Sequence, residues 1–283
     1  MDLVTVTGLV PAQGATGRNG DAWLGGGTWL FSEPQPATTR LLDLASFGWP
    51  ALTETDDGLE IAATCTLAEL ARWQPAPERA DRGPQGGGWV ARHLPRQCCA
   101  ALLGSFKVAN VATVGGNICL ALPAGPMIAL TAALDGMARI WGPGGTSREV
   151  PVTGLVTGQR ATALRPGELL RSVFLPAAAL AARPACRQVS LSPAGRSAVF
   201  LIGTRSPSGT VTVTLTAAVP RPVQVRFPRL PHPNVLAQSL DDAASGTSGY
   251  LDDVHGSAPW RRAMTRRAAL EVAAELSGSG PSR

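Results

Sequence analysis

Two glycine-rich segments carry residue types suited to binding a phosphate-bearing molecule. The first is residues 25–28 (GGGT), and the second is residues 113–117 (TVGGN). Glycine lets the backbone approach a ligand closely, and neighbouring amides can point into one concavity that suits an anion. Asn117 adds a short side chain that both donates and accepts hydrogen bonds. Either segment alone is also ordinary turn chemistry, but together they could bind the two ends of one diphosphate-bearing cofactor.

Other catalytic patterns are missing from the sequence. It has no convincing Ser-His-Asp or Cys-His arrangement, no G-x-G-x-x-G after a strand and no G-x-x-x-x-G-K. The five cysteines, an odd number, include no C-x-x-C pair, which argues against zinc and against an iron–sulfur cluster in this chain. Reduced thiols are the expected state. We therefore predict no catalytic side chain and no metal site, so that any chemistry would belong to a bound cofactor.

The composition argues against several classes of protein. With 283 residues, 45% of them hydrophobic and 16% charged, the chain is globular and long enough for two structural units. The formal charge of +5 is scattered, and 1 Tyr with 6 Phe leaves too few aromatic rings for a platform on which bases stack. We therefore expect no nucleic-acid partner and assign the charge to solubility and a partner surface.

An uncharged run from residue 108 to residue 134 is long enough to span a membrane. Its glycines and prolines, among them Gly116 and Pro123, would leave backbone groups without partners in lipid. The N-terminus has no basic region followed by an apolar one, so a signal peptide is not expected. We predict a cytoplasmic protein without a membrane segment, in which this run forms a buried loop and then a buried helix.

Strands are predicted on both sides of the first glycine segment. The β-branched start of residues 3–9 predicts an edge strand, and residues 23–24 predict the end of a strand that leads into the glycines. Residues 40–44 predict a buried strand. The DDG sequence at residues 56–58 predicts a hairpin, followed by a strand at residues 59–64.

A helix and a loop are predicted next. Thr66 and Glu69 form a capping-box pattern that starts a helix through Trp73. The prolines and glycines of residues 74–88 predict a loop, and its Gly86-Gly87-Gly88 stretch fits a flexible surface better than a phosphate site because no strand leads into it.

Further helices and strands surround the second glycine segment. Residues 95–106 predict a helix that leads towards it, and Pro126 suits the first position of a helix that runs to Asp135. Residues 138–150 predict a hairpin, and residues 165–168 predict a turn into a strand at 169–175.

The C-terminal part predicts a small α+β unit. Residues 211–216 alternate as a strand with one solvated face, and residues 223–227 predict its partner. Ser257 can cap a final helix that ends before Gly278. Apolar residues recur along that helix at a spacing of four: Trp260, Met264, Ala268, Val272 and Leu276.

The order and spacing of these blocks resemble the FAD-binding medium subunit of molybdenum hydroxylases, the xanthine dehydrogenase and carbon monoxide dehydrogenase family. The matching blocks are residues 24–28, 41–44, 59–70, 112–117 and 163–170. The resemblance covers roughly residues 20 to 200. It implies an α/β (α+β) fold, namely a two-subdomain FAD-binding domain of the vanillyl-alcohol oxidase / p-cresol methylhydroxylase type over residues 1–180. The subdomains would be about 1–50 and 51–180, followed by a small α+β C-terminal domain at 181–283.

The resemblance also implies FAD as the cofactor and a set of residues that contact it. Leu103 and Leu170 would border the flavin, and Arg187 would lie beside the isoalloxazine, where the family often has a lysine. Considered alone, Leu170 is an ordinary core residue and Arg187 an ordinary surface arginine. The full predicted set is Leu24, Gly25, Gly26, Gly27, Thr28, Trp29, Leu103, Thr113, Gly115, Gly116, Asn117, Leu170 and Arg187.

The chain departs from the family pattern at three positions. Trp29 stands where an acidic residue is usual, and Leu122 and Pro126 stand where a serine and an FAD-binding aspartate are expected. The lost aspartate removes a charged hydrogen bond, a type typically worth about 1.5–3 kcal/mol.

By resemblance, the function is that of an oxidoreductase subunit. It would take electrons from a [2Fe–2S] small subunit and pass them through FAD to NAD or another acceptor, while hydroxylation would occur on a molybdenum-cofactor large subunit. Two alternatives stay open: a cofactor-free scaffold subunit of such a complex, and a stand-alone flavin oxidoreductase.

Overall fold

Three main sheets and one two-stranded hairpin make up the fold. The computed structural model describes residues 5–15, 17–80, 88–193 and 195–278. The predicted surface glycines Gly86 and Gly87 lie outside the described residues, as does the beginning of the first predicted strand. No helix in the described ranges is long and apolar enough to cross a membrane.

Three short parallel strands form the first sheet, in the order β1–β3–β2. They are β1 (Gly8–Pro11), β2 (Asp21–Leu24) and β3 (Arg40–Asp43). Because β2 and β3 run parallel, their carboxyl ends share one sheet edge, and the first glycine segment leaves β2 there. The first strand begins later than predicted, because its partner β3 begins at Arg40, which pairs with Gly8.

Residues 52–180 combine helices with a five-stranded antiparallel sheet. The helices are α1 (Leu67–Arg72), α2 (Pro77–Ala80), α3 (Leu94–Ala100), α4 (Phe106–Ala109), α5 (Val114–Cys119), α6 (Pro126–Ala133), α7 (Val152–Leu155) and α8 (Ala177–Leu180). The strands are β4 (Leu52–Glu54), β5 (Gly58–Ala62), β6 (Met137–Trp141), β7 (Ser147–Pro151), β8 (Val156–Gly158), β9 (Ala161–Thr162) and β10 (Leu169–Pro176). The sheet order is β4–β5–β10–β6–β7, and β8 pairs with β9.

Several local sequence signals form the structures that they predict. In α1 the Glu69 amide donates to Thr66 Oγ1 over 3.2 Å, and the Thr66 amide donates to Glu69 Oε2 over 2.8 Å, which completes the capping box. Pro126 opens α6, where its missing N–H costs nothing. The hairpin between β4 and β5 closes through a hydrogen bond from the Thr55 amide to the Gly58 carbonyl.

The prediction of one helix over residues 95–106 was wrong, because the structure has two shorter helices there. The helix α3 ends at Ala100, and Ser105 begins α4 by accepting a hydrogen bond from the Val108 amide through its side chain. Gly104 lies in the turn between the two helices. A serine that satisfies a helix amide favours a new helix start over helix continuation.

The third sheet has the antiparallel order β11–β12–β13–β14 and is packed by two helices. The elements are β11 (Arg183–Val189), β12 (Val199–Arg205), β13 (Val211–Thr216), β14 (Val223–Phe227), α9 (Pro233–Ser245) and α10 (Ala258–Ser277). The prediction of one solvated face on β13 was wrong, because all its residues are buried. Its valines and leucine pack with α9 and α10, whereas its threonines lie on the opposite face, on the side of α6.

The helix α6 joins the second and third sheets. All eight of its residues are buried, and it packs against α3 and α5 on one side and against β12 and β13 on the other. The Gln224 side chain of β14 donates to the Ala132 carbonyl over 2.6 Å. The main core therefore continues from the second sheet into the third, where it includes Phe200 and Ile202.

Candidate functional site

The two glycine segments lie in direct contact, although they are far apart in sequence. A Cβ atom built on Gly26 would stand 1.7 Å from the Val111 carbonyl oxygen, and one on Gly25 would stand 2.9 Å from Thr113 Oγ1. Only glycine allows so close an approach of the two backbones. The predicted convergence of the two segments on one place is therefore present in the structure.

The first segment presents a row of unpaired backbone amides. From Gly25 to Trp29 no amide donates a hydrogen bond to another residue in the described part of the chain. Gly27 has a φ of +68°, and a Cβ there would stand 2.5 Å from the Phe31 ring, so that this turn needs glycine. Successive amides in such a turn form a concavity that suits an anion, and the residues around it are only partly buried.

The second segment is the first turn of α5 and not a loop, which corrects the prediction. Thr113 is the N-cap residue, and its Oγ1 accepts a hydrogen bond from the Gly116 amide over 3.0 Å. The Val114 and Gly115 amides donate to the carbonyls of Cys65 and Ala63. These amides are thus bound within the chain, and they do not add to the unpaired row of the first segment.

The glycines of α5 serve close packing. A Cβ on Gly115 would stand 2.5 Å from the Ala63 Cβ atom, so that any larger residue would push α5 away from the end of β5. Gly116 is less constrained, because such an atom there would meet only Thr113 Oγ1. The position of α5 against the first glycine segment therefore depends on Gly115.

Asn117 has a structural contact that the sequence did not reveal. Its Oδ1 accepts a hydrogen bond from the Met127 amide over 3.0 Å. The N-cap position of α6 is Gly125, which has no side chain, so Asn117 supplies the cap from α5. The amide nitrogen of the Asn117 side chain donates to no residue of the described chain and stays available to a ligand.

A cation lies beside Trp29 at the end of the first segment. The Arg160 guanidinium carbon is 5.2 Å from the centre of the Trp29 ring, and Arg160 Nη2 is 3.2 Å from Glu33 Oε2. The Arg160 amide also donates to the Ala121 carbonyl, in the segment that precedes Pro126. Sequence reasoning missed Arg160, because no motif marks it.

The remaining predicted residues lie on other elements. Leu103 is 62% exposed in the turn between α3 and α4. Leu170 is buried within the core on β10. Arg187 on β11 forms ion pairs with Glu271 and Glu275 of α10, at 2.8 and 2.7 Å. The charge of Arg187 is thus already paired within the chain.

Two contacts fix the turn before β10, one from the first sheet and one from β7. Trp23 Nε1 donates to the Glu168 carbonyl over 3.1 Å. Arg148 donates two hydrogen bonds to the Glu168 carboxylate, at 2.8 and 2.7 Å, and lowers the pKa of that carboxyl to about 2. The turn that follows Arg165 is therefore held by a charged pair.

The cysteines are poor nucleophiles. All five are free, and burial raises the pKa of the thiols of Cys65, Cys99, Cys119 and Cys186 to about 12. Burial also raises the pKa of the Cys98 thiol well above its ordinary value. The thiolate is the reactive form of cysteine, so a thiol that stays protonated is a poor nucleophile. Among the described residues, no three His, Cys, Asp or Glu side chains are grouped to bind a metal ion.

Comparison with known proteins places these features in a family. Residues 17–178, more than half of the chain, match the model described as "FAD binding domain in molybdopterin dehydrogenase". The matched range includes both glycine segments and ends within α8. The predicted family and its FAD cofactor are thereby confirmed.

Relatives with known names agree with the family model. The chain is 30% identical over 139 residues to xanthine dehydrogenase 1 of Arabidopsis thaliana. This alignment covers 44% of this chain and 9% of that protein. It is 36% identical over 86 residues to the xanthine dehydrogenase FAD-binding subunit of Escherichia coli O157:H7, which covers 30% of this chain and 29% of that subunit. These alignments therefore span less than a third of each relative.

The fold is shared over nearly the whole chain. A chain of quinoline 2-oxidoreductase from Pseudomonas putida 86 superposes with a TM-score of 0.69 at 21% identity, over 92% of this chain and 90% of the other. The predicted α/β (α+β) fold class is thereby confirmed. On the evidence of the domain match, this chain belongs to the family of FAD-binding domains of molybdopterin dehydrogenases.

Proposed function

We propose that the chain is the FAD-binding electron-transfer subunit of a multi-subunit molybdenum hydroxylase of the cytoplasm. It would receive electrons from a [2Fe–2S] small subunit and deliver them through FAD to NAD or another acceptor. Hydroxylation would occur on a molybdenum-cofactor large subunit. The substrate would therefore be selected outside this chain.

The row of unpaired amides from Gly25 to Trp29 is the observation that carries the proposal. A diphosphate needs several donors close together, and a glycine turn whose amides have no partner in the described chain supplies them. The row lies against the N-terminal end of α5, where Thr113 and Asn117 offer side-chain atoms. The residues present thus fit a diphosphate-bearing cofactor.

We assign the other predicted residues to parts of the same cofactor site. Leu103 and Leu170 would flank the ring with apolar side chains, and Arg187 would lie near it. FAD supplies the redox chemistry when it is bound, whereas the protein binds, orients and tunes it. No side-chain acid or base is required. The full proposed contact set is Leu24, Gly25, Gly26, Gly27, Thr28, Trp29, Leu103, Thr113, Gly115, Gly116, Asn117, Leu170 and Arg187.

The domain division remains part of the proposal. The first sheet would be the core of a subdomain over about residues 1–50, and the second sheet that of a subdomain over 51–180. The third sheet with α9 and α10 would form a C-terminal domain over 181–283. The change from the second to the third sheet between α8 and β11 supports a boundary there.

A cofactor-free scaffold subunit is the second candidate. Leu122 and Pro126 stand in place of the serine and aspartate that the family pattern has, and the first amides of α5 are bound within the chain. In both places, groups that could bind FAD are either replaced or already hydrogen-bonded within the chain. A stand-alone flavin oxidoreductase is less favoured, since the roughly hundred residues after the FAD-binding region are few for a separate substrate domain.

A visible absorption spectrum of the purified chain, with FAD measured in the supernatant after heating, tests the proposal. We expect flavin bands and close to one FAD per chain. Protein that is colourless alone but yellow in complex would mean that partner subunits complete the site. Protein that takes up no FAD, alone or with co-purified partners, would overturn the proposal in favour of the scaffold.

A further inference from the structure

Arg160 contacts Trp29, at the end of the first glycine segment, and the backbone just after α5. Its guanidinium lies over the ring of Trp29, which ends the row of unpaired amides. Its amide donates to the Ala121 carbonyl over 2.9 Å, in the segment that follows α5. The residue lies between β8 and β9, so a third part of the chain reaches the site through it.

The backbone of Arg160 adopts a conformation that side chains rarely favour. Its φ is +56°, in the left-handed region, although the residue is not glycine. Such a conformation persists where the surrounding structure imposes it and is a reason to look for function. Arg160 lies in the turn between β8 and β9, and its side chain contacts Trp29 and Glu33.

The side chain of Arg160 keeps donors available. A guanidinium has five N–H donors, and within the described chain the one hydrogen bond from this side chain runs from Nη2 to Glu33 Oε2. The Arg160 and Glu33 side chains are 54% and 42% exposed, so the pair can exchange partners. An exposed pair of this kind contributes little by itself.

Neither glycine segment supplies a positive charge of its own. Residues 24–29 contain no cation, and residues 108–134 contain no charged side chain. A diphosphate bound to the free amides would carry two negative charges, which amide dipoles alone offset only in part. Arg160 supplies a positive charge at the end of the row, where its guanidinium lies over the Trp29 ring.

We infer that Arg160 is a binding residue for FAD. Its guanidinium releases Glu33 and binds the diphosphate of the cofactor electrostatically. The inference rests on the proposed function, since it requires FAD at this site. It assigns opposite effects to the two members of the pair. Arg160 favours binding, whereas Glu33 competes with the diphosphate for the same guanidinium.

Titration of the full chain with FAD, in complex with its partners if FAD requires them, tests the inference through flavin fluorescence. Arg160→Gln should weaken FAD binding about tenfold at low salt, because one charge-assisted contact is lost. Arg160→Lys should recover part of the lost affinity, and Glu33→Gln should bind FAD at least as tightly as the wild type. Because salt screens charges, with a Debye length of about 10 Å at 0.1 M and 3 Å at 1 M, the defect should shrink as salt rises.

Arg226→Gln is the matched control. Arg226 pairs with Asp135 in the same manner, with side chains 55% and 40% exposed, and lies on β14 of the third sheet. It should leave FAD binding unchanged. If Arg160→Gln binds FAD like this control, or if its defect is the same at high salt, the inference fails while the proposed function stands. If Arg160→Gln does not fold, weaker binding by Glu33→Gln overturns it. A wild-type chain that binds no FAD overturns the proposed function itself and the inference with it.

Discussion

The backbone of Gly26 lies against the carbonyl oxygen of Val111, so closely that a Cβ atom on Gly26 would stand 1.7 Å from that oxygen. This contact joins the segment that leaves the first sheet to the residues that lead into α5. A separation of that size is far inside any real contact of a Cβ atom, so the backbone has to move if a side chain is introduced. The geometry of the candidate site therefore depends on the absence of one methyl group.

Gly26→Ala should displace the first glycine segment and reduce FAD binding strongly. Overpacking of this kind typically costs about 1–3 kcal/mol, and here it acts on the segment that carries the unpaired amides. The measurements are thermal unfolding and FAD titration. Gly154→Ala is the control, because a Cβ at Gly154 meets nothing within 4 Å and its φ is ordinary. Normal FAD binding by Gly26→Ala would contradict a site built on this contact.

Asn117 should have two separable roles. Asn117→Ala removes the cap of the Met127 amide and should lower the free energy of unfolding by about 1 kcal/mol. Asn117→Asp keeps an acceptor for that amide and should stay close to wild type in stability, but it puts a negative charge near the proposed diphosphate and should bind FAD more weakly. Chemical denaturation and FAD titration of both variants provide the comparison. Equal FAD binding by Asn117→Asp and wild type would argue against a cofactor near Asn117.

Glu168 should make the stability of the chain depend on acid. Its pKa is lowered from 4.5 to about 2 by the hydrogen bonds from Arg148, so the carboxylate stabilises the fold fully above pH 4.5 and loses that effect as the pH falls towards 2. Glu168→Gln should cost about 2 kcal/mol at pH 7, and the difference from wild type should shrink steadily as the pH falls from 4.5 through 2. Urea denaturation at a series of pH values measures this difference.

The matched control for that series is Glu149→Gln. Glu149 pairs with Arg139 through an exposed contact, with side chains 49% and 44% exposed. Removing it should change the free energy of unfolding by less than about 1 kcal/mol at every pH. A cost for Glu168→Gln that is the same from pH 7 to pH 2 would show that packing, and not charge, is responsible.

Arg187 should affect both stability and the bound flavin. Arg187→Gln removes the ion pairs with Glu271 and Glu275 and should lower the free energy of unfolding by about 1 kcal/mol. If Arg187 lies near the ring as proposed, the loss of its charge should also lower the reduction potential of bound FAD, because a nearby cation favours the anionic reduced form. If Arg187→Gln is less stable but its bound FAD has the same reduction potential as in Arg226→Gln, Arg187 does not act on the flavin. Its role would then be limited to the ion pairs with α10.

Local signals in the sequence were sufficient for much of the fold. The capping box at Thr66, the hairpin that ends at Gly58 and the cap of α10 at Ser257 each depend on atoms within a few residues of one another. The helix α9 was missed although its signal is present: Pro233 occupies its first turn, and Leu236, Leu240 and Ala244 recur at a spacing of four. Contacts of this kind can be predicted from sequence because they form between residues that are close together along the chain.

Other features depend on distant parts of the chain and could not be read from local patterns. The face of β13 that carries its threonines is covered by α6, which lies some eighty residues earlier in the sequence. The amides of Val114 and Gly115 are taken by carbonyls at the end of β5 and after it. For the site, the sequence indicated the two glycine segments, but Arg160 reaches Trp29 only through the fold.

The complete burial of α6 also decides how the molecule can open. Since one side of this helix belongs to the flavin-binding part and the other to the third sheet, neither part can separate without exposing eight apolar or buried residues to water at once. The two parts should thus behave as one cooperative unit, and the amides of α6 should be among the last in the chain to exchange their hydrogens with solvent.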